Sequence, residues 1–273
     1  MASPTSRTHE QPELWVCHLG VIEYGAALAV QERLRDARQR DELPDLLLLL
    51  EHPPVYTRGR RSQAGELPMG EAWYRTQGIE VIDTDRGGRV TYHGPGQLVG
   101  YPIMRIDDVV AYLRTMESAI IESLVDEGIA AQIRGGLTGV WAGERKIASI
   151  GVHVARGVTT HGFAVNVEND LQPFAWIVPC GLEGVQMTSV IRETARTSAL
   201  PCLRRRMAWR FSSAFGRRQR LVSAARLGIK SAPSPTELPP RPAPAPAPGP
   251  ASAPAPEPAP VTQPAPPPEP TLA

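Results

Sequence analysis

Cys180 lies in the run Trp176-Ile177-Val178-Pro179-Cys180-Gly181-Leu182. Proline before it and glycine after it predict a tight turn that presents the thiol. A thiol is a weak nucleophile until it ionises, and a nearby cation lowers its pKa. Lys146 is a candidate for that cation. Of the 29 basic residues only Lys146 and Lys230 are lysines. Arginine keeps its proton, whereas lysine can be made to release one, so a lysine suits proton chemistry where arginine does not. His93, His153 and His161 are rival partners for the thiol, and histidine is the commoner companion of a catalytic cysteine, so the residues alone leave the choice open. A metal site built from these histidines lacks a recognised ligand spacing. Cys17, in an apolar strand-like run, and Cys202, beside an arginine cluster, read as buried and inert.

The densest local signal is Arg86-Gly87-Gly88-Arg89-Val90-Thr91-Tyr92-His93-Gly94-Pro95-Gly96-Gln97-Leu98-Val99-Gly100-Tyr101-Pro102. Gly94, Gly96 and Gly100 give a spacing one residue too long for a dinucleotide fingerprint, and no helix pattern follows. Neither lysine follows a glycine, which excludes a phosphate loop of the GxxxxGK type. The segment reads as a strand, a tight His-Gly-Pro-Gly turn and a second strand; as structure alone it is a Gly-Pro hairpin. Arg86 and Arg89 supply fixed charge, and bare backbone between them suits the wall of a narrow channel.

The elements that must position these groups follow from periodicity. Short β-type runs bounded by Gly or Pro occur at Leu46–Glu51, Ile79–Asp83, Arg89–His93, Leu98–Ile103, Lys146–His153 and Thr160–Val167. Helical spacing of apolar residues covers Tyr24–Arg38 and Asp108–Glu127. Strands outnumber helices and often follow one another directly. This pattern predicts an α/β protein of the α+β kind, a mixed sheet with helices packed on it, rather than a doubly wound parallel sheet.

Three cysteines cannot make a disulfide framework, their odd number and wide spacing suit a reducing compartment, and there is no CxxC pair to suggest a zinc ribbon. The first ten residues lack the apolar run of a secretory signal, and the aliphatic block Leu46–Leu50 is too short to span a bilayer. A cytoplasmic protein with no membrane partner is the expectation. From Ser231 to Ala273 there are 18 prolines and 10 alanines in 43 residues, which predicts a disordered, polyproline-like tail. Residues 201 to 230 carry nine Arg or Lys and no Asp or Glu. They read as a basic amphipathic helix, either a solvated face or a docking surface for an acidic protein; no nucleic-acid motif accompanies the charge, and no nucleic-acid partner is expected. The expected organisation is a flexible stretch over 1–12, a domain over 13–230 ending in the basic helical stretch, and the tail over 231–273.

Three blocks carry a family resemblance: Glu51-His52-Pro53-Pro54-Val55-Tyr56-Thr57; Arg86 to Pro102; and Gly143-Glu144-Arg145-Lys146-Ile147-Ala148-Ser149 through His161-Gly162-Phe163-Ala164-Val165-Asn166-Val167 to Pro179-Cys180-Gly181 and Met187-Thr188-Ser189. The chain resembles the octanoyltransferases of lipoate synthesis, the lipoyl(octanoyl) transferases, over roughly residues 13 to 215. The resemblance implies the α/β fold shared with biotin and lipoate protein ligases. It implies an ATP-independent acyltransferase that takes octanoyl from octanoyl-acyl carrier protein. The acceptors it implies are lysines of lipoyl domains, those of 2-oxoacid dehydrogenase complexes and of the glycine cleavage H protein. It places the acyl-thioester on Cys180, the assisting lysine at Lys146, and the substrate lining at Arg86, Gly87, Gly88, Arg89, Val90, Thr91, Tyr92, His93, Ser149, Ile150, Gly151, Gly162, Phe163 and Ala164. No cofactor and no metal are implied. The alternatives are an ATP-dependent lipoate–protein ligase, whose work needs no nucleophilic cysteine, and a non-catalytic acyl-binding or carrier-docking protein. The tail, the basic stretch and Arg58, where an apolar residue is expected, depart from the family pattern.

Overall fold

Five consecutive leucines, Leu46 to Leu50, are all buried, and their alternation explains the architecture. Leu47 and Leu49 belong to one hydrophobic cluster and Leu46, Leu48 and Leu50 to another. A strand sends successive side chains to opposite faces, so an unbroken apolar run marks a strand covered on both sides. The structure, a computed structural model, describes residues 11–178 and 185–229. Cys180, Lys230, residues 1–10 and the tail therefore lie outside the described residues.

The chain runs β1 (Glu13–Val21), α1 (Tyr24–Gln39), β2 (Asp45–Glu51), β3 (Val55–Arg58), α2 (Glu71–Thr76), β4 (Glu80–Asp83), β5 (Thr91–His93), β6 (Gln97–Ile103) and α3 (Val109–Val125). It continues through β7 (Ala131–Arg134), β8 (Leu137–Ala142), β9 (Arg145–Ala155), β10 (Val158–Asn166), α4 (Val190–Thr194), α5 (Leu200–Ala214) and β11 (Arg218–Leu221). Eight strands form a mixed sheet in the order β11-β1-β2-β6-β10-β9-β8-β7, and three form a second sheet, β4-β3-β5. In the large sheet β1 is parallel to β2 and β11, and the other pairs are antiparallel. The α+β expectation holds.

One face of the large sheet packs on α3 and α5 through Met116, Ala119, Ile120, Leu124, Leu203, Met207 and Phe211. α3 starts where the Asp108 carboxylate accepts from the amides of Val110 (2.7 Å) and Ala111 (3.1 Å), a cap for donors the helix cannot satisfy. The other face packs on α1 through Ala27 and Leu34. The small sheet has its own core of Tyr56, Tyr74, Val90, Tyr92, Phe174 and Trp176. Two of its tyrosines reach the 3-10 turn Gln172–Trp176: Tyr56 Oη donates to the Pro173 carbonyl and Tyr74 Oη to the Trp176 carbonyl, each at 2.7 Å.

Two expectations are corrected. β5 and β6 are not a hairpin. β5 pairs with β3, and β6 pairs with β2 and β10, so the Gly94-Pro95-Gly96 turn carries the chain from one sheet to the other. Cys202 is exposed, on the outer side of α5, whereas Cys17 is buried in β1 with its thiol pushed up to about 11 by burial. The helix in the basic stretch is α5, and two of its four arginines, Arg206 and Arg210, form ion pairs within the chain. Arg210 pairs with Asp126 (2.6 Å) and Glu122 (3.2 Å), and Arg206 with Glu127 (3.1 Å). Arg217, Arg218 and Arg220, which follow α5, bind Asp45 and Glu13. Among the described residues no helix is long and apolar enough to cross a membrane.

Candidate functional site

The pairing of β9 with β10 sets Gly162 opposite Gly151 and Ala164 opposite Ser149. Residues two apart on a strand share a face, and so do paired neighbours. These four small side chains therefore make one bare patch on the α1 side of the sheet. The Arg86-Gly87-Gly88 segment crosses the patch: Gly87 N donates to the Val152 carbonyl at 2.9 Å. A Cβ on Gly151 would sit 2.7 Å from the Gly87 oxygen, so only glycine allows the crossing this close. Arg86 is buried, and its guanidinium donates to the Thr57 carbonyl (2.6 Å) and Oγ1 (2.7 Å). Between patch and crossing segment lies a narrow cleft of about 450 Å³, open mouth included.

The cleft gathers Arg86, Gly88, Arg89, Thr91, His93, Ser149, Ile150, Gly151, Gly162, Phe163 and Ala164 from the residues expected to line it. Gly87, Val90 and Tyr92 are not on its surface. Strand alternation along β5 turns Thr91 and His93 to the cleft and sends Val90 and Tyr92 into the small-sheet core. The cleft also takes in Tyr24, Tyr101 and His161. Sequence reasoning did not assign these three to the lining. Tyr101 follows from alternation with Val99 and Gln97 once the β6–β10 register is known, but no single-strand pattern supplies that register.

The polar groups of the cleft wall are mostly held by one another. His52 Nδ1 donates to the Ile22 carbonyl and its Nε2 accepts from Tyr101 Oη, each at 2.7 Å. Burial pushes the His52 pKa down to about 4. His93 Nδ1 donates to Gln97 Oε1 at 2.8 Å, and burial holds His93 well below the ordinary histidine range. His161 has a left-handed backbone (φ +57°), and its Nε2 donates to Asp85 Oδ1 at 2.6 Å. Burial lowers the His161 pKa against the pull of Asp85. His153 also faces Asp85, at 3.5 Å. The wall thus presents neutral imidazoles at pH 7, with Arg86 as a buried fixed cation.

Lys146 reaches the cleft face through a β-bulge. The β8–β9 register shifts between Val140↔Ala148 and Trp141↔Lys146, which leaves one extra residue on β9. Consecutive Ile147 and Ala148 both enter the core under α3 and α5. Lys146 and Ser149 consequently share the opposite, cleft face. Lys146 is 3% exposed. Its backbone is clamped by the segment downstream of Cys180: Lys146 N donates to the Gln186 carbonyl (2.8 Å) and Thr188 N to the Lys146 carbonyl (2.9 Å). On the upstream side Val178 N donates to the Glu66 carbonyl at 3.0 Å. Residues 186–188 thus lie directly beside Lys146. A buried relay joins this segment to the cleft wall: Asn166 Nδ2 donates to the Thr188 carbonyl (3.0 Å), and Gln97 Nε2 donates to Asn166 Oδ1 (2.9 Å).

The lipoyl protein ligase A/B catalytic domain family matches residues 23–212. An octanoyltransferase of Salinispora tropica is 43% identical over 213 residues, covering 73% of this chain and 97% of its own. One from Mycobacterium leprae is 46% identical over 202 residues, covering 71% and 84%. The chain belongs to the octanoyltransferase family. It is therefore an acyltransferase. The fold is shared with two solved structures. A bi-partite lipoate protein ligase of Thermoplasma acidophilum is 20% identical with a TM-score of 0.62, covering 79% of this chain and 88% of that one. A lipoate-protein ligase A bound with ATP is 20% identical with a TM-score of 0.63, covering 78% and 89%. At that identity the likeness concerns the fold alone.

Proposed function

We propose that the chain moves an octanoyl group from a carrier-protein thioester to a lysine amine of a lipoyl domain, through a thioester on Cys180 and without ATP. The pairing of residues 186–188, six to eight positions after Cys180 in sequence, with the backbone of buried Lys146 is the observation that carries this reading. The rival imidazoles have other work. His93 is bound to Gln97, and His161 and His153 face Asp85.

Each step balances. The Lys146 ammonium favours the Cys180 thiolate, which attacks the donor carbonyl. The carrier thiol leaves with the proton of Lys146, and Cys180 becomes the acyl-thioester. Lys146 is then neutral and faces no thiolate. The acceptor amine attacks the thioester carbonyl, its proton passes to Lys146, and Cys180 leaves as thiolate. The ammonium–thiolate pair is restored. An arginine can supply the charge that favours the thiolate, leaving the carrier to depart as a thiolate that solvent protonates, but it cannot take the proton of the acceptor amine. One thioester replaces another at nearly equal energy, and the amide product lies downhill, so no nucleotide is needed.

The bare patch formed by Ser149, Gly151, Gly162 and Ala164 suits an acyl chain laid along the sheet. Burying its seven carbons beyond the carbonyl contributes at most about 5–6 kcal/mol at ~0.8 kcal/mol per CH₂. That separates octanoyl from short chains and discriminates weakly against neighbours one methylene away. Intact-mass measurement after incubation with octanoyl-carrier protein, nucleotide omitted, tests the reading. Wild type gains one octanoyl mass and Cys180→Ala gains none. An adduct that persists on Cys180→Ala, or a strict need for ATP, sinks it.

A further inference from the structure

Trp141 stands opposite Lys146 in the β8–β9 pairing and is 1% exposed. Its ring centroid lies 5.7 Å from Lys146 Nζ. The Arg134 guanidinium, from β7, reaches the same ring at 5.1 Å and is tethered to Glu144 at 2.7 Å. A buried tryptophan ordinarily finds an acceptor for its N–H. Trp141 Nε1 has none among the described residues. The indole is therefore kept in place by what its faces touch rather than by its own polar atom. Gly139 completes the surroundings. Its φ is +127°, and a Cβ there would lie 2.8 Å from Lys146 Cε and 3.3 Å from Nζ. Any other residue would occupy the volume that the lysine stem uses.

We propose that Trp141 is a positioning residue for Lys146: the indole and the bare Gly139 form a slot that fixes the ammonium on the cleft face. The inference rests on the reading of Lys146 given above. The attraction of a cation to a ring acts on the ammonium and not on the neutral amine. The slot thus favours the charged form of the lysine over the neutral one. Neighbouring charges are accounted for among the described residues. Arg145 on β9 is engaged by Glu193 at 2.9 Å. β8 and residues 185–189 contribute no charged side chain.

The test uses the full chain and two readouts: the rate of Cys180 alkylation by iodoacetamide from pH 5 to 9, and octanoyl transfer to a lipoyl domain. Trp141→Leu is expected to slow alkylation at pH 7 about three- to tenfold and to move its midpoint upward by roughly half to one pH unit. Trp141→Phe keeps a ring and discards only the N–H, which has no acceptor among the described residues, so it is expected to restore most of the rate, within about threefold of wild type. A merely structural role for Trp141 would leave the midpoint where it is. If Trp141→Leu does not fold, site-specific fluorination of the Trp141 indole keeps its shape, withdraws ring electron density, and is expected to move the midpoint the same way. An unmoved midpoint in the leucine or fluorinated protein overturns the slot, as does a Trp141→Phe protein as impaired as Trp141→Leu. Lys146→Ala separates this from the underlying reading. If it alkylates and transfers as wild type does, the role of Lys146 fails. If it is impaired while the Trp141 proteins are not, that role stands and the slot fails.

Discussion

The two faces of the eight-stranded sheet are built from different materials. Under α3 and α5 the face is large and apolar, with Leu98, Ile120, Leu124, Phe163 and Phe211 all buried in one cluster. On the opposite face, the side of α1, the same strands show Ser149, Gly151, Gly162 and Ala164, with Gln97, Asn166 and Lys146 beside them. β9 must serve both. Its bulge lets Ile147 and Ala148 seal the core while Lys146 and Ser149 keep to the cleft. A close-packed face supplies stability, and small residues backed by it leave room for a ligand without costing rigidity. On this view, changes to the bare patch and Lys146 alter chemistry more than stability, and changes on the sealed face do the reverse.

Lys146→Arg should produce the largest effect and break the comparison most directly. The cation survives, so Cys180 should still acquire an octanoyl mass. The base is lost, so transfer to the lipoyl domain should fall about 10²–10⁴-fold, the usual worth of a positioned acid–base group. Single-turnover assays of the two half-reactions separate these outcomes. Normal transfer would show that the lysine is not a base. Leu124→Ala makes the complementary change on the sealed face, where the side chain is fully buried. Stability in chemical denaturation should drop by about 2–5 kcal/mol, while adduct formation per folded molecule stays at the wild-type rate. An altered adduct rate would show that the two faces are coupled.

How much of this was legible in the sequence differs between the faces. The leucine block, the α3 pattern and the β9 and β10 runs are continuous and strongly periodic, and all appear within a residue or two of where periodicity puts them. The short strands β3, β7, β8 and β11 fall outside the runs that periodicity and flanking Gly or Pro mark. The cleft was legible only in part. Arg86, Thr91 and His93 sit in one glycine-rich run, but Tyr24, Tyr101 and His161 join them through strand pairings that no local pattern encodes. The bulge that turns Lys146 to the cleft depends on how β8 pairs with β9, so alternation along β9 alone would have placed Lys146 with Ala148 and Ile150 instead. The hairpin expected at Gly94-Pro95-Gly96 failed for the same reason: local turn chemistry announces a reversal and does not say which sheet receives the next strand.

Acid should find the cleft face first. The cluster under α3 and α5 contains no histidine, whereas His52, His93 and His161 line or back the cleft. His52 is held near pH 4 by burial, against an ordinary value of about 6.5 in an unfolded chain. Between those values the unfolded chain binds a proton that the folded chain refuses, so folding becomes less favourable as pH falls. The contribution of His52 is fully present above about pH 6.5 and is lost progressively towards pH 4, on the order of 3 kcal/mol in total. Burial drives His93 and His161 in the same direction. Chemical denaturation of wild type and His52→Gln at pH 7 and pH 4.5 measures the effect. The glutamine has no proton to take up, so the loss of stability between the two pH values should be smaller in that variant, even if its stability at pH 7 is lower. An equal loss in both proteins would move the acid sensitivity away from His52, either to His93 and His161 or to carboxylate pairs outside the cleft such as Asp126 with Arg210. Only the second outcome, an equal loss also in His93→Gln and His161→Gln, would end the contrast between a titrating face and an inert one.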